Sequence, residues 1–227
     1  MSRARKSPVM TTKPKSKSSV AVKRDRGRPK LASDDTQRLQ IVKGARQLFI
    51  EKGYGRTTTD DVAAQCRISK QTLYRLFPGK AALFAAVVDA HRYTMLALPG
   101  DYDAMPIDQA LQQIFQIDID PKLDSDRMAL LRLVMLESQQ HPELEEMLLL
   151  YGADRSRAEL TMWLTRQRDR GLIQLDDAES GARILMGMMF GAMMLKAGGR
   201  SAGPISPKRA HIKACVSIFL NGVKTRM

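Results

Sequence analysis

An all-α fold is what this sequence predicts, and three observations predict it. Apolar residues recur at helical spacing through most of the 227 residues, strand signals are few, and the apolar runs are bracketed by helix caps and by glycine or proline stops. The expected order is a basic arm, a three-helix unit containing a helix-turn-helix, and a larger helical C-terminal part.

Ser33-Asp34-Asp35 opens the first helix with a capping hydroxyl and two acids at the positive end of the helix dipole. Leu39, Val42, Ala45 and Phe49 form its expected apolar stripe, and Gly53 stops it at a left-handed position. The stretch from Thr57 to Phe77 then reads as two short helices separated by a tight turn. Thr58 or Thr59 caps the second helix, again with two acids in the first turn, and Ser69 caps the third. Val62, Ala63, Cys66, Ile68, Leu73 and Phe77 fall where these two helices must face each other, and Leu73, Leu76 and Phe77 hold the pair to the rest of the unit. Lys70, Gln71, Thr72 and Tyr74 are left on the outer side. This is the pattern of a helix-turn-helix, over about 58–77, whose second helix fits the DNA major groove.

Pro78-Gly79 separates that motif from a fourth helix, from about Lys80 to Leu96, which ends before Pro99-Gly100. Further helices are expected at about 107–117, 125–140, 143–170, 177–198 and 208–223. Loops are marked by Asp118 to Asp124, His141-Pro142, Gly171 and the stretch from Gly198 to Pro207.

Charge is distributed unevenly. Residues 1–30 hold eleven Lys/Arg and one acid, residues 31–80 nine and five, and residues 81–227 seventeen and eighteen. The excess behind the net charge of +13 is therefore confined to the N-terminal part that carries the helix-turn-helix. Residues 1–30 are too poor in apolar side chains to fold alone, and a disordered basic arm is expected over 1–33. Its segment Arg26-Gly27-Arg28-Pro29-Lys30 resembles an AT-hook core, in which Arg26 and Arg28 would enter a narrow A·T minor groove.

Cys66 and Cys215 both fall at apolar helix positions and are expected as reduced core thiols, which points to a cytoplasmic compartment. The basic N-terminus has no apolar core of a secretory signal. The longest uncharged apolar run, Ile184 to Leu195, is shorter than the roughly 20 residues a membrane span needs and is expected as a bundle helix.

The sequence TTTDDVAAQCRISKQTLYRLFPGKAALF, preceded by LFIEKGYGRT, resembles the DNA-binding domain of the TetR family of bacterial transcriptional regulators over about residues 35–95. Two positions depart from the family pattern. Arg67 stands in the turn where glycine is usual, so a non-glycine residue is expected at positive φ, and Pro78-Gly79 replaces a more usual polar pair. LLRLVMLESQQHPELEEMLL followed by RGLIQLDDAESGARILMGMMFG resembles the AefR-type C-terminal domain of part of that family, which implies an effector-binding and dimerisation domain over 96–227.

The resemblance implies Lys70, Gln71, Thr72 and Tyr74 as DNA contacts, and the chemistry agrees. Gln pairs with adenine, Lys with guanine, Thr contacts a thymine methyl, and Tyr74 reaches a phosphate. Thr58 or Thr59 and Lys80, at the starts of helices, are placed for flanking phosphates. Arg75 is expected in solvent. The resemblance also implies a small-molecule cavity, for which the candidate lining is Phe115, Met128, Leu131, Met135, Met147, Tyr151, Trp163, Met186 and Phe190. No charged clamp stands out among these helices, which favours an apolar or amphipathic effector.

A glycine inside a helix costs about 1 kcal/mol relative to alanine, so Gly181, Gly187 and Gly191 need a packing reason. A homodimer supplies one, and it also follows from a single module reading too few bases. The resemblance places the last two helices at that interface, with Gly187, Gly191 and Met194 on one and Ile212, Val216 and Phe219 on the other. His91, His141 and His211 are widely spaced, and no phosphate loop or nucleophile elbow is present. Neither enzyme chemistry, nor a metal, nor a cofactor is expected. The expectation is a repressor released from a near-palindromic operator by its effector. The alternative is an architectural DNA-binding protein that uses the basic arm and needs no effector.

Overall fold

A computed structural model describes residues 33–195 and 209–223, and every regular element among them is helical. The basic arm, with Arg26 and Arg28, and the side chain of Met194 lie outside the described residues.

Helix α1 (Asp34–Lys52) is capped by the Ser33 hydroxyl, which accepts from the Thr36 N–H at 3.3 Å. Its buried side is Ile41, Ala45, Leu48 and Phe49, whereas Leu39 is 70 % exposed. The expected stripe was therefore rotated. Apolar residues occupy two sides of this helix, and α2 (Thr59–Gln65), α3 (Lys70–Leu76) and α4 (Lys80–Met95) pack on the side that carries Ile41 and Leu48. Gly53 ends α1 with φ +88° and ψ 159°, a positive-φ backbone that is extended in ψ rather than left-handed helical.

The turn between α2 and α3 is a Schellman motif. The N–H of Ile68 donates to Ala63 O at 3.0 Å and that of Arg67 to Ala64 O at 3.1 Å, with Arg67 at φ 53°. The same device closes α5 (Ile107–Ile114). Gln116 stands at φ 52°, its N–H bonds Gln113 O and the next N–H bonds Gln112 O, so the helix stops at Ile114 and not at residue 117 as expected. Helix α6 (Pro121–Glu137) starts earlier than expected. Asp120 caps it by accepting from the N–H groups of Lys122 and Leu123, with proline in the first turn, where its missing N–H costs nothing.

The single helix expected at 143–170 is a continuous run in three parts: α7 (Glu143–Met147), a π-helical segment (Leu148–Ala153) and α8 (Asp154–Asp169). Helices α9 (Ala178–Leu195) and α10 (Arg209–Val223) follow.

Two apolar cores organise the described residues from Ser33 onward, which form one compact unit. One core joins α1 to α4 with Leu130, Leu133 and Val134 of α6 and Leu144 of α7. The other joins α5, α8, α9 and α10 around Leu111, Trp163, Leu185 and Phe219. Ile212, Val216 and Phe219 are 3 %, 2 % and 6 % exposed within the single chain. The stripe of α10 assigned from sequence to a dimer interface is instead turned inward against α5 and α9. The cysteines are free, and burial raises both thiols above their ordinary range.

Candidate nucleic-acid interface and effector cavity

Leu73 and Leu76 of α3 and the adjoining Phe77 are buried, and this fixes which side of α3 faces out. Arg38 reinforces the seat from α1: its guanidinium donates to Leu76 O at 2.8 Å and lies 4.6 Å over the Phe77 ring. Ser69 caps α3 by accepting from the Thr72 N–H at 3.0 Å. Gln71 and Tyr74 are exposed. Gln71 has no hydrogen-bond partner among the described residues, whereas Tyr74 shares a 3.0 Å hydrogen bond with the Thr59 hydroxyl.

Lys70 pairs with Asp60 at 2.6 Å, across the helix-turn-helix and in solvent. Such an exposed pair contributes little to stability and is easily exchanged for a phosphate or base oxygen. Thr58 and Asp61 form a reciprocal capping box on α2, which with Lys52 holds the Asp61 carboxyl well below the usual range. Arg75 is paired in two-pronged fashion with Asp34, at 2.6 and 3.0 Å.

Lys80 departs from expectation. Its amine donates to Tyr54 O at 3.0 Å and Gly55 O at 3.4 Å and lies 4.3 Å over the Tyr54 ring, so it braces the α1–α2 turn. The opposite side of that turn is held by Glu137 at the end of α6, which accepts from the N–H groups of Tyr54 at 3.1 Å and Gly55 at 2.8 Å. A Cβ on Gly53 would lie 2.3 Å from Glu137 Oε1, so a side chain there would displace that carboxylate in addition to straining the positive φ.

A cavity of about 550 Å³ opens between α4, α6, the π-helical segment and α9. Of the candidates read from sequence, Leu131, Met135, Met186 and Phe190 line it. The other five do not. Phe115 and Trp163 belong to the core around α9 and α10, Met128 is buried beside Leu131, and Met147 and Tyr151 pack toward the α1–α4 core. Spacing along a helix gives a residue's side but not which neighbour fills that side.

Sequence reasoning missed the polar wall. His91 and Arg92 line the cavity and are 3 % and 8 % exposed, and the signal was present: each stands four residues after a buried valine, Val87 or Val88. Arg92 is offset by carboxylates, with Nε donating to Asp89 at 3.0 Å and Nη1 to Glu159 at 2.6 Å. Gly187 and Gly191 also border the cavity, and among the described residues a Cβ on either would meet nothing within 4 Å, so close packing against those residues is not their reason. Gly181 does have one, since a Cβ there would lie 2.7 Å from Leu175. Among the described residues no group of three His, Cys, Asp or Glu could hold a metal ion, and no helix is long and apolar enough to cross a membrane.

A reading helix presented on a small helical unit, with a lined cavity beside the helix that follows it, defines a DNA-binding regulator. The model for bacterial regulatory proteins of the TetR family matches residues 41–87, and that for the C-terminal domain of AefR-like transcriptional repressors matches residues 109–222. The chain therefore belongs to the TetR family of transcriptional regulators, which are not enzymes.

The DNA-binding transcriptional repressor TetR of Mycobacteroides abscessus is 39 % identical over 61 residues, covering 27 % of this chain and 32 % of that protein, so the match spans about a third of its length. The HTH-type regulator YvkB of Bacillus subtilis is 23 % identical over 193 residues, 81 % of this chain and 95 % of its own. Among solved structures, a TetR-family regulator from Mesorhizobium loti superposes with a TM-score of 0.62 at 25 % identity, covering 86 % of this chain and all of that one.

Proposed function

We propose that this regulator is a homodimeric repressor that occupies a near-palindromic operator in the bacterial cytoplasm and leaves it when a small apolar or amphipathic effector enters the cavity. In this reading residues 35–95 read DNA, residues 96–227 bind effector and pair, and the arm over 1–33 adds minor-groove or phosphate contacts. The observation that carries it is the position of α4. The helix begins one residue after the Pro78-Gly79 pair that closes the reading unit, and its far end supplies Val88, His91, Arg92, Met95 and Leu96 to the cavity. An effector that fits only one tilt of α4 would change the separation of two recognition helices. Release requires such a preference, because equal affinity for both states shifts nothing.

Gln71 and Lys70 are the base-reading residues in this proposal, Thr72 a methyl contact, and Tyr74 with Thr59 and Thr58 the phosphate side. Lys80 acts by bracing the turn. For the dimer, the outward faces of α9 and α10 replace the buried stripe: Ile184 is 58 % and Ile218 64 % exposed, and Gly187 and Gly191 follow Ile184 at helical spacing.

Footprinting on the DNA that flanks the gene should give a two-fold symmetric protected site. Gln71→Ala should weaken binding to it by ~1–3 kcal/mol and relax preference at one base pair of each half-site. Tyr74→Ala should weaken binding without changing preference. Two variants that bind like the wild type would show that the reading face is wrongly assigned.

A further inference from the structure

Between Lys52 and Lys80 the chain carries six lysines and arginines, and the fold engages five of them. Lys52 pairs with Asp61 at 2.9 Å, while Lys70 pairs with Asp60 and Arg75 with Asp34, each at 2.6 Å. Arg56 donates to Lys52 O at 2.7 Å, and Lys80 to Tyr54 O at 3.0 Å. Arg67 is the sixth. Its side chain is exposed and makes no hydrogen bond, ion pair or ring contact among the described residues. Its backbone is left-handed, with φ 53°, and the two N–H bonds that close the turn belong to the main chain. Glycine would make both bonds without the strain that a Cβ brings at positive φ. A strained position that no contact within the fold repays points to a contact outside the chain.

We propose that Arg67 grips a DNA phosphate at the rim of the groove that α3 enters, adding affinity without reading a base. The proposal rests on the reading of α3 as the base-reading helix. A groove-inserted helix points its first residues at base edges, so Lys70 and Gln71 stand over the floor of the groove. Arg67 comes three residues before Lys70, outside the helix and ahead of its Ser69 cap, where the chain passes the rim. Phosphate oxygens line that rim, and a guanidinium fork matches two of them at once. Lys70 and Arg75 must each leave a carboxylate before they meet a phosphate, whereas Arg67 leaves nothing. The C-terminal end of α2 also favours a positive charge beside it. That attraction is screened at an exposed site and is the same with or without DNA, so it bears on stability and not on binding.

The test is a fluorescence-anisotropy titration of the full-length protein on its footprinted operator, repeated from about 0.05 to 0.3 M KCl. In Arg67→Gly two protomers lose two phosphate contacts. The slope of log K against log salt should become shallower by about 1.8, at about 0.9 per contact. Arg67→Gln keeps a Cβ on the turn and should lose the same slope, which separates the missing charge from the backbone freedom that glycine adds. Arg67→Lys keeps the charge and should keep the wild-type slope. The loss of affinity caused by changing the base pair read by Gln71 should be the same in wild type and all three variants. A wild-type slope in Arg67→Gly and Arg67→Gln, a slope lost in Arg67→Gly alone, or an altered base preference would overturn the proposal. Gln71→Ala, titrated beside them, tells that failure from failure of the α3 reading. Weakened Gln71→Ala beside unaltered Arg67 variants would remove Arg67 and leave α3 as the reading helix. Wild-type binding by Gln71→Ala and the Arg67 variants alike would remove both.

Discussion

Arg67 holds a left-handed backbone, φ 53°, at the turn of the helix-turn-helix, where its own N–H is bound by Ala64 O and that of Ile68 by Ala63 O. A side chain in that region costs on the order of 1 kcal/mol that glycine would not. Arg67→Gly should therefore raise the free energy of unfolding by up to about 1 kcal/mol in urea titration, and a neutral or destabilised variant would show that the arginine side chain contributes more than its backbone strain. His91 has a pH signature of its own. Burial, reinforced by Arg46 and Arg127, pushes it down to about 3 in the folded chain, against 6.5 for a free imidazole. The unfolded chain then binds the extra proton between those values, so stability is full above pH 6.5 and falls as pH drops below it. The slope can reach about 1.4 kcal/mol per pH unit until the folded imidazole itself protonates. Comparing urea midpoints at pH 7 and pH 5 for wild type and His91→Leu checks this: the wild type should lose more, and parallel losses would assign the acid sensitivity to other groups.

At the scale of elements, α6 touches both halves of the molecule. It lends Leu130, Leu133 and Val134 to the core of the reading unit, lines the cavity with Leu131 and Met135, and ends in Glu137, which holds the α1–α2 turn by two backbone N–H groups. The turn is pinned from its other side by Lys80 and packed beneath by Phe49, Phe84 and His141 around Tyr54. Glu137→Gln would leave one oxygen for two donors and aim an amide N–H₂ at the other, so unfolding free energy should fall by ~1–3 kcal/mol. Operator affinity should become less responsive to effector, because α6 is a second connection, besides α4, between cavity and turn. Undiminished stability and an undiminished effector response in that variant would leave α4 as the sole carrier.

At the scale of the whole molecule, the proposed dimer needs an exposed apolar surface to pair. Ile218 and Ile184 are exposed on α10 and α9, whereas Ile212, Val216 and Phe219, the α10 residues first assigned to the interface, are in the chain's own core. Ile218→Asp puts a charge on the outer face and touches nothing buried. It should yield folded monomers in sedimentation that have lost operator affinity, because one module covers only a half-site. A dimeric Ile218→Asp protein would move the interface elsewhere.

Local rules were enough for much of this. Caps at Ser33, Thr58 and Ser69, the glycine at 53 and the outer side of α3 are set by residues within a few positions of one another, so they are legible in the sequence, whereas the left-handed turn at Arg67 was legible only through the family resemblance. The Asp120-Pro121 start of α6 was equally local and was overlooked inside a run of acids. Other features depend on contacts between residues far apart in the chain. An apolar stripe looks the same whether it faces its own chain, a partner or a cavity. Packing alone decided that Ile212, Val216 and Phe219 face α5 and α9, that Trp163 fills a core while Met186 borders a void, and that Lys80 turns inward. The same holds for His91. Its spacing marks a buried side, but only the fold put the residue beside a cavity and left its buried Nε2 without a partner among the described residues.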